Sequence, residues 1–123
     1  MYIRDSKASA FRRAGDGTLL SELIHPDHQG SPRPLPLSIA QAVLRPGAAS
    51  IPHKLNGSLE IYYILAGEGV VTIGDEEGRI REGQAVYIPP SVVQSIKNTG
   101  MRDLVFLAIV APAWQQSDET VLS

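Results

Sequence analysis

The sequence predicts a single all-β domain of antiparallel strands, and three observations carry that prediction. Its 123 residues suffice for one hydrophobic core and are too few for two. Eleven glycines and nine prolines cut the chain into short apolar pieces at fairly regular spacing, the pattern of strands joined by turns. No apolar period of 3.6 residues persists beyond two turns, so nothing calls for a long amphipathic helix. A hydrophobic fraction of 43%, with the glycines besides, belongs to a chain that folds.

The elements follow in order. Residues 6–15, SKASAFRRAG, have a composition that tolerates one short helix or a loose arm, and Gly15-Asp16-Gly17 turns the chain. TLLSELIHP (18–26) reads as a strand, and the proline-rich stretch 27–36 reads as a loop. LSIAQAVL (37–44) reads as a strand ended by Arg45-Pro46-Gly47, where proline presets φ and glycine accepts the positive φ that follows. Short strands rich in β-branched and aromatic residues are expected at 51–55, 60–67, 68–74, 78–83, 84–90, 92–98 and 103–111. Their links, such as Asn56-Gly57-Ser58 and Pro89-Pro90-Ser91, are hairpin-sized. The architecture expected is a barrel or sandwich over residues 18–114, with an N-terminal arm at 1–17 and a peripheral tail at 115–123.

Charge and composition narrow the partners. Eleven Lys and Arg against 13 Asp and Glu give a net charge of −2, so no positive field gathers phosphates and no nucleic-acid partner is expected. No run approaches the ~18–20 apolar residues of a membrane span. The absence of cysteine removes disulfides, thiolate metal sites and a cysteine nucleophile. The start, MYIRDSKASAFRR, lacks the apolar core of a secretory signal, and the cytoplasm is the expected compartment. The segment LVFLAIVA is apolar on both faces. With the strand at 18–25 it carries more hydrophobic surface than a small barrel covers, so a symmetric homodimer is expected.

Alternation places the polar side chains. Residues two apart on a strand share a face about 7 Å apart, which groups His53 with Leu55, Glu60 with Tyr62 and Ile64, and Gln94 with Ile96 and Asn98. If those faces look into a barrel, an imidazole, a carboxyl and an amide meet in an apolar interior, the composition of a metal or polar-ligand site. Tyr62 either lends a phenol to a ligand or fills the barrel. Gln41 shares a face with Ile39 and Val43 and adds an amide to the pocket if that face is internal. His25 and His28, in His25-Pro26-Asp27-His28, either fold over the barrel mouth or stand solvated beside a turn, and the solvated state is expected. Arg79 and Arg81 are expected on an exposed edge, and Trp114 over one barrel end or a subunit contact.

Gly47, His53, Glu60 and Gly67, and further on Gly83, Pro89 and Asn98, are spaced so that residues 47–98 resemble the cupin family of small single-domain conserved barrels. Gly47, His53, Glu60 and Gly67 fall on the first cupin motif, with Leu55 in place of its second histidine, and Gly83, Pro89 and Asn98 fall on the second, with Ser91 for its glycine and Gln94 for its histidine. Fifteen residues separate Gly67 from Gly83, a spacing similar to that of compact cupins. The resemblance implies a double-stranded β-helix, or jelly-roll barrel, over about residues 37–112. It also implies a divalent transition metal (Zn, Mn, Fe or Cu) held by three imidazoles and a glutamate, of which this chain keeps His53 and Glu60 and substitutes Gln94. Two functions are expected from it. One is binding of that metal and a small sugar- or keto-acid-like molecule, with isomerase or dioxygenase chemistry; the other is a metal-free module that binds a small molecule without turnover.

Overall fold

Among the described residues, 1–8 and 11–122 of the computed structural model, eleven strands form two antiparallel sheets. They are β1 (Arg12–Arg13), β2 (Leu19–Ile24), β3 (Ser38–Leu44), β4 (His53–Leu55), β5 (Leu59–Ala66), β6 (Glu68–Ile73), β7 (Glu76–Arg81), β8 (Ala85–Ile88), β9 (Gln94–Asn98), β10 (Leu104–Ala111) and β11 (Glu119–Val121). One sheet has the order β1-β2-β3-β10-β5-β8 and the other β11-β4-β9-β6-β7. The expected all-β class and double-stranded β-helix are what the chain forms.

Alternation decides which residues enter the core. On β10, Leu104, Phe106, Ala108 and Val110 are buried while Val105, Leu107 and Ile109 are only half-buried. Leu104, Phe106 and Ala108 share one buried cluster with Ala42 and Leu44 of β3, Tyr62 and Ile64 of β5, and Val71, Ile80 and Ile96 of the facing sheet. Phe106 and Tyr62 stack with ring centroids 4.7 Å apart, a tilted aromatic pair. Burial of these side chains supplies the main folding drive, ~1.5–3 kcal/mol for each large residue fully buried.

Several motif residues have structural work. Asn98 is fully buried; its Nδ2 donates to the carbonyls of Leu44 and Arg102 and its Oδ1 accepts from the Gly100 amide, which ties three chain segments together. Gly67 has φ +87°, and a Cβ there would stand 2.7 Å from the Asp103 carbonyl oxygen, so both backbone and space require glycine. Ser91 holds a left-handed backbone, φ 69°, at the position where the family resemblance implies a glycine. Its hydroxyl donates to the Asn56 carbonyl and its amide to the Leu55 carbonyl, which offsets part of the ~1–2 kcal/mol a non-glycine residue costs there.

Both ends of the chain depart from expectation. Among its described residues the N-terminal arm contributes strand β1, paired to β2, and no helix; residues 9–10 of the proposed short helix lie outside the described residues. The tail is not peripheral throughout, because Glu119, Thr120 and Val121 pair with Leu55, Lys54 and His53. Asp118 anchors that return: its carboxylate accepts the amides of Gly57 and Ser58, and its carbonyl accepts Asn56. No helix is long and apolar enough to cross a membrane among the described residues. Arg79 and Arg81 are exposed on β7, an edge strand, as alternation predicted.

Candidate functional site

The sheets enclose a cavity of about 80 Å³ whose wall includes Asp16, Ala40, His53, Glu60, Tyr62, Trp114 and Glu119. One water needs ~10–15 Å³ of such space, so several waters or one small organic molecule fit, far below a drug-sized pocket. Most of the wall is apolar, with Ala42, Leu55, Phe106, Ala108 and Val110 beside the polar groups.

His53 and Glu60 line the cavity, whereas Gln94 is absent from its wall and reaches Glu60 from β9. His53 and Gln94 are register partners across β4 and β9. Gln94 Nε2 donates to Glu60 Oε1 at 2.8 Å, and the Tyr62 hydroxyl donates to Gln94 Oε1 at 2.5 Å. All three members of this chain are buried. Burial pushes the Glu60 carboxyl up to about 8, against the hydrogen bond from Gln94, which favours the charged form, and Asp16 and Glu119 add to the rise. At neutral pH Glu60 is therefore mainly a neutral acid. Tyr62 is raised well above the ordinary phenol value, first by burial and then by Glu60, and stays protonated.

His53 is anchored from behind. A carbonyl only accepts, so the 2.9 Å contact to Ile51 O puts a proton on Nδ1 and leaves Nε2 as the nitrogen on the far side of the ring. There Asp16 Oδ2 lies 3.5 Å away. Asp16 is itself oriented by the Thr18 amide and hydroxyl, both donating to its Oδ1. Glu119 is raised, chiefly by burial, while His53 pulls it the other way.

Other expectations are corrected. Gln41 does not enter the cavity: Ser38, Ala40 and Ala42 of β3 line it, so strand alternation turns Gln41 to the outer face, opposite Leu107. His25 is not solvated but 4% exposed, with Nε2 donating to the Trp114 carbonyl and Nδ1 accepting the Asp27 amide. His28 is half-buried against the Tyr2 hydroxyl. Neither histidine lines the cavity. Asp16 and Glu119 were the residues sequence reasoning missed. Asp16 looked like an ordinary turn residue, and for Glu119 the only signal was the short alternation Glu119-Thr120-Val121-Leu122.

Residues 40–110 match the cupin domain family. The chain is a cupin. An uncharacterised protein of Methanocaldococcus jannaschii is 34% identical to this cupin over 108 residues, covering 87% of this chain and 83% of that protein. An oxalate-binding protein of Thermotoga maritima is 41% identical over 71 residues, 58% of this cupin and 59% of that protein. Among solved structures, one described as a predicted oxalate decarboxylase of Thermotoga maritima superposes with a TM-score of 0.75 at 27% identity, over 89% of this cupin and 98% of that chain.

Proposed function

We propose that this cupin holds one small organic acid, of oxalate or keto-acid size, in the barrel cavity without a divalent metal. The carrying observation is the chain Tyr62–Gln94–Glu60. Gln94's carbonyl oxygen accepts from Tyr62 and its amide donates to Glu60, so both ends of the side chain are engaged within the chain and it brings no charge to a cation. Leu55, buried at the neighbouring family position, has no donor atom. Burial keeps Glu60 toward its neutral form, and no three His, Asp or Glu side chains converge on a metal position among the described residues. This donor set does not fit Zn, Mn, Fe or Cu.

The same groups suit an acid's oxygens. A neutral Glu60 offers a carboxyl proton, and Arg12 is the one Lys or Arg on the described wall. Asp16, Glu22 and Glu119 on that wall disfavour a free dianion, so the singly charged or neutral acid is the form bound. The cavity volume sets the size limit, and the oxalate-binding relative supports the ligand class.

Elemental analysis of protein purified without an affinity tag, followed by thermal-shift titration with oxalate and small keto acids, tests the reading. The expected result is metal well below one equivalent, and a rise in Tm with at least one acid that His53→Ala abolishes. At 100 times Kd the stabilisation is about 2.7 kcal/mol. A stoichiometric divalent metal, or no Tm rise with any of these acids, overturns it.

A further inference from the structure

Two atoms on the cavity wall lack partners, and they are of opposite chemical sense. Glu60 accepts the Gln94 amide on Oε1, so the proton of its neutral carboxyl stands on Oε2. His53 donates from Nδ1 to the Ile51 carbonyl, so Nε2 of the neutral ring carries the lone pair. Neither Oε2 nor Nε2 has a hydrogen bond among the described residues. Neither is sealed off, because Ser21 Oγ is the one enclosed side-chain atom left unbonded there. Both residues line the cavity of about 80 Å³. A proton donor and a proton acceptor thus open onto a space that holds one small molecule.

Resting on the reading of this cavity as a site for a small organic acid, we infer that the pair moves protons on a bound 2-keto acid. His53 Nε2 takes a hydrogen from the carbon next to the carbonyl, and Glu60 Oε2 gives its proton to the carbonyl oxygen. The C–H electron pair becomes the C=C bond of the enol, and the carbonyl π pair forms the new O–H bond. The protein is left with an imidazolium and a carboxylate, and the reverse transfers restore the keto acid and both side chains. No oxidant, reductant or co-reactant enters. Two further features fit this activity. Asp16 Oδ2 stands 3.5 Å from His53 Nε2, where it stabilises the imidazolium. The Thr18 amide and hydroxyl fix that carboxylate through its other oxygen, so Asp16 is a positioning residue that acts through His53. Asp16, Glu22 and Glu119 also set negative charge around the cavity, which disfavours a free enolate dianion. The oxygen must therefore gain its proton as the carbon loses one, and a general acid on the same wall as the base meets that requirement.

Proton NMR of pyruvate in D₂O, with protein dialysed against EDTA, tests this. Wild type is expected to replace the methyl hydrogens by deuterium in proportion to protein concentration, about tenfold or more above buffer alone. Glu60→Gln keeps a hydrogen-bond donor but has no acid proton, and is expected to lower the exchange rate about 100-fold while pyruvate affinity stays within a few fold. Asp16→Asn is expected to lower turnover about tenfold with KM unchanged, and is read in place of Glu60→Gln should that variant fail to fold. Thermal shift with pyruvate and oxalate on the same samples separates the two readings. A rise in Tm without exchange overturns the inference and leaves ligand binding intact; neither a rise nor exchange overturns both. Exchange that disappears on EDTA dialysis, or that persists undiminished in the folded Glu60 or Asp16 variant, also overturns the inference.

Discussion

Gln94 and Glu60 are 34 positions apart in the chain, yet the amide of one donates to the carboxyl of the other at 2.8 Å inside the barrel. The pair explains how a glutamine serves where the family resemblance implies a histidine. An imidazole there would compete for a metal; the amide instead satisfies two buried oxygens, the Glu60 carboxyl and, through its own carbonyl, the Tyr62 hydroxyl. An unpaired buried polar group costs ~1–3 kcal/mol, so the three residues hold as a unit.

Stability is expected to fall with rising pH because of Glu60. Its ordinary value is 4.5 and its folded value about 8, so between these limits the folded state holds a proton that the unfolded chain has released. That contribution is complete below about 4.5, declines through the window and is gone above about 8. Urea unfolding of wild type and Glu60→Gln at pH 5, 7 and 9 checks this. Relative to the variant, wild type loses on the order of a few kcal/mol between pH 5 and 9; parallel curves refute it.

Placing histidines at the two family positions is expected to create a tighter metal site than the proposed metal-free cavity offers. The double variant Leu55→His/Gln94→His sets two imidazoles beside His53 and Glu60, three nitrogens and one carboxylate, a set that suits first-row divalent metals. Isothermal titration with Zn²⁺ is expected to show one site in the double variant and none of comparable affinity in the native chain. Equal affinity in both would mean that native residues already bind the ion.

The C-terminal return is expected to support the cavity wall. Asp118 accepts the Gly57 and Ser58 amides at 2.8 and 3.2 Å. Removing both in Asp118→Ala is expected to cost about 1–2 kcal/mol and to release strand β11 with Glu119. Hydrogen exchange resolved by residue reads it directly. Gly57, Ser58 and the β4–β11 amides lose protection while β10 does not; unchanged protection at Gly57 and Ser58 would show that the anchor is dispensable.

How much of the site was legible follows from distance along the chain. His53, Glu60 and Tyr62 face the barrel interior because alternation is local: once β4 and β5 exist, the residues sharing a face are determined by the period of two. Gln41 shows the limit of the same rule. Alternation grouped it with Ile39 and Val43, but choosing which face of β3 is internal depends on the layer packed against it, and β3 turns Ala40 and Ala42 inward. His25 likewise stands next to a proline and loop residues that locally signal exposure, yet the Trp114 carbonyl 89 positions away buries it.

Turn chemistry and apolar alternation, properties of neighbouring residues, by themselves determined the all-β class and put His53 with Leu55, and Glu60 with Tyr62, on shared strand faces. Tertiary structure alone decided that Asp16 from one end and Glu119 from the other reach the same cavity, and that Gln94 turns its amide to Glu60. Those outcomes depend on strand order in the sheets and on the pairing of β11 with β4. Such contacts close long loops, and no local period in the chain encodes them.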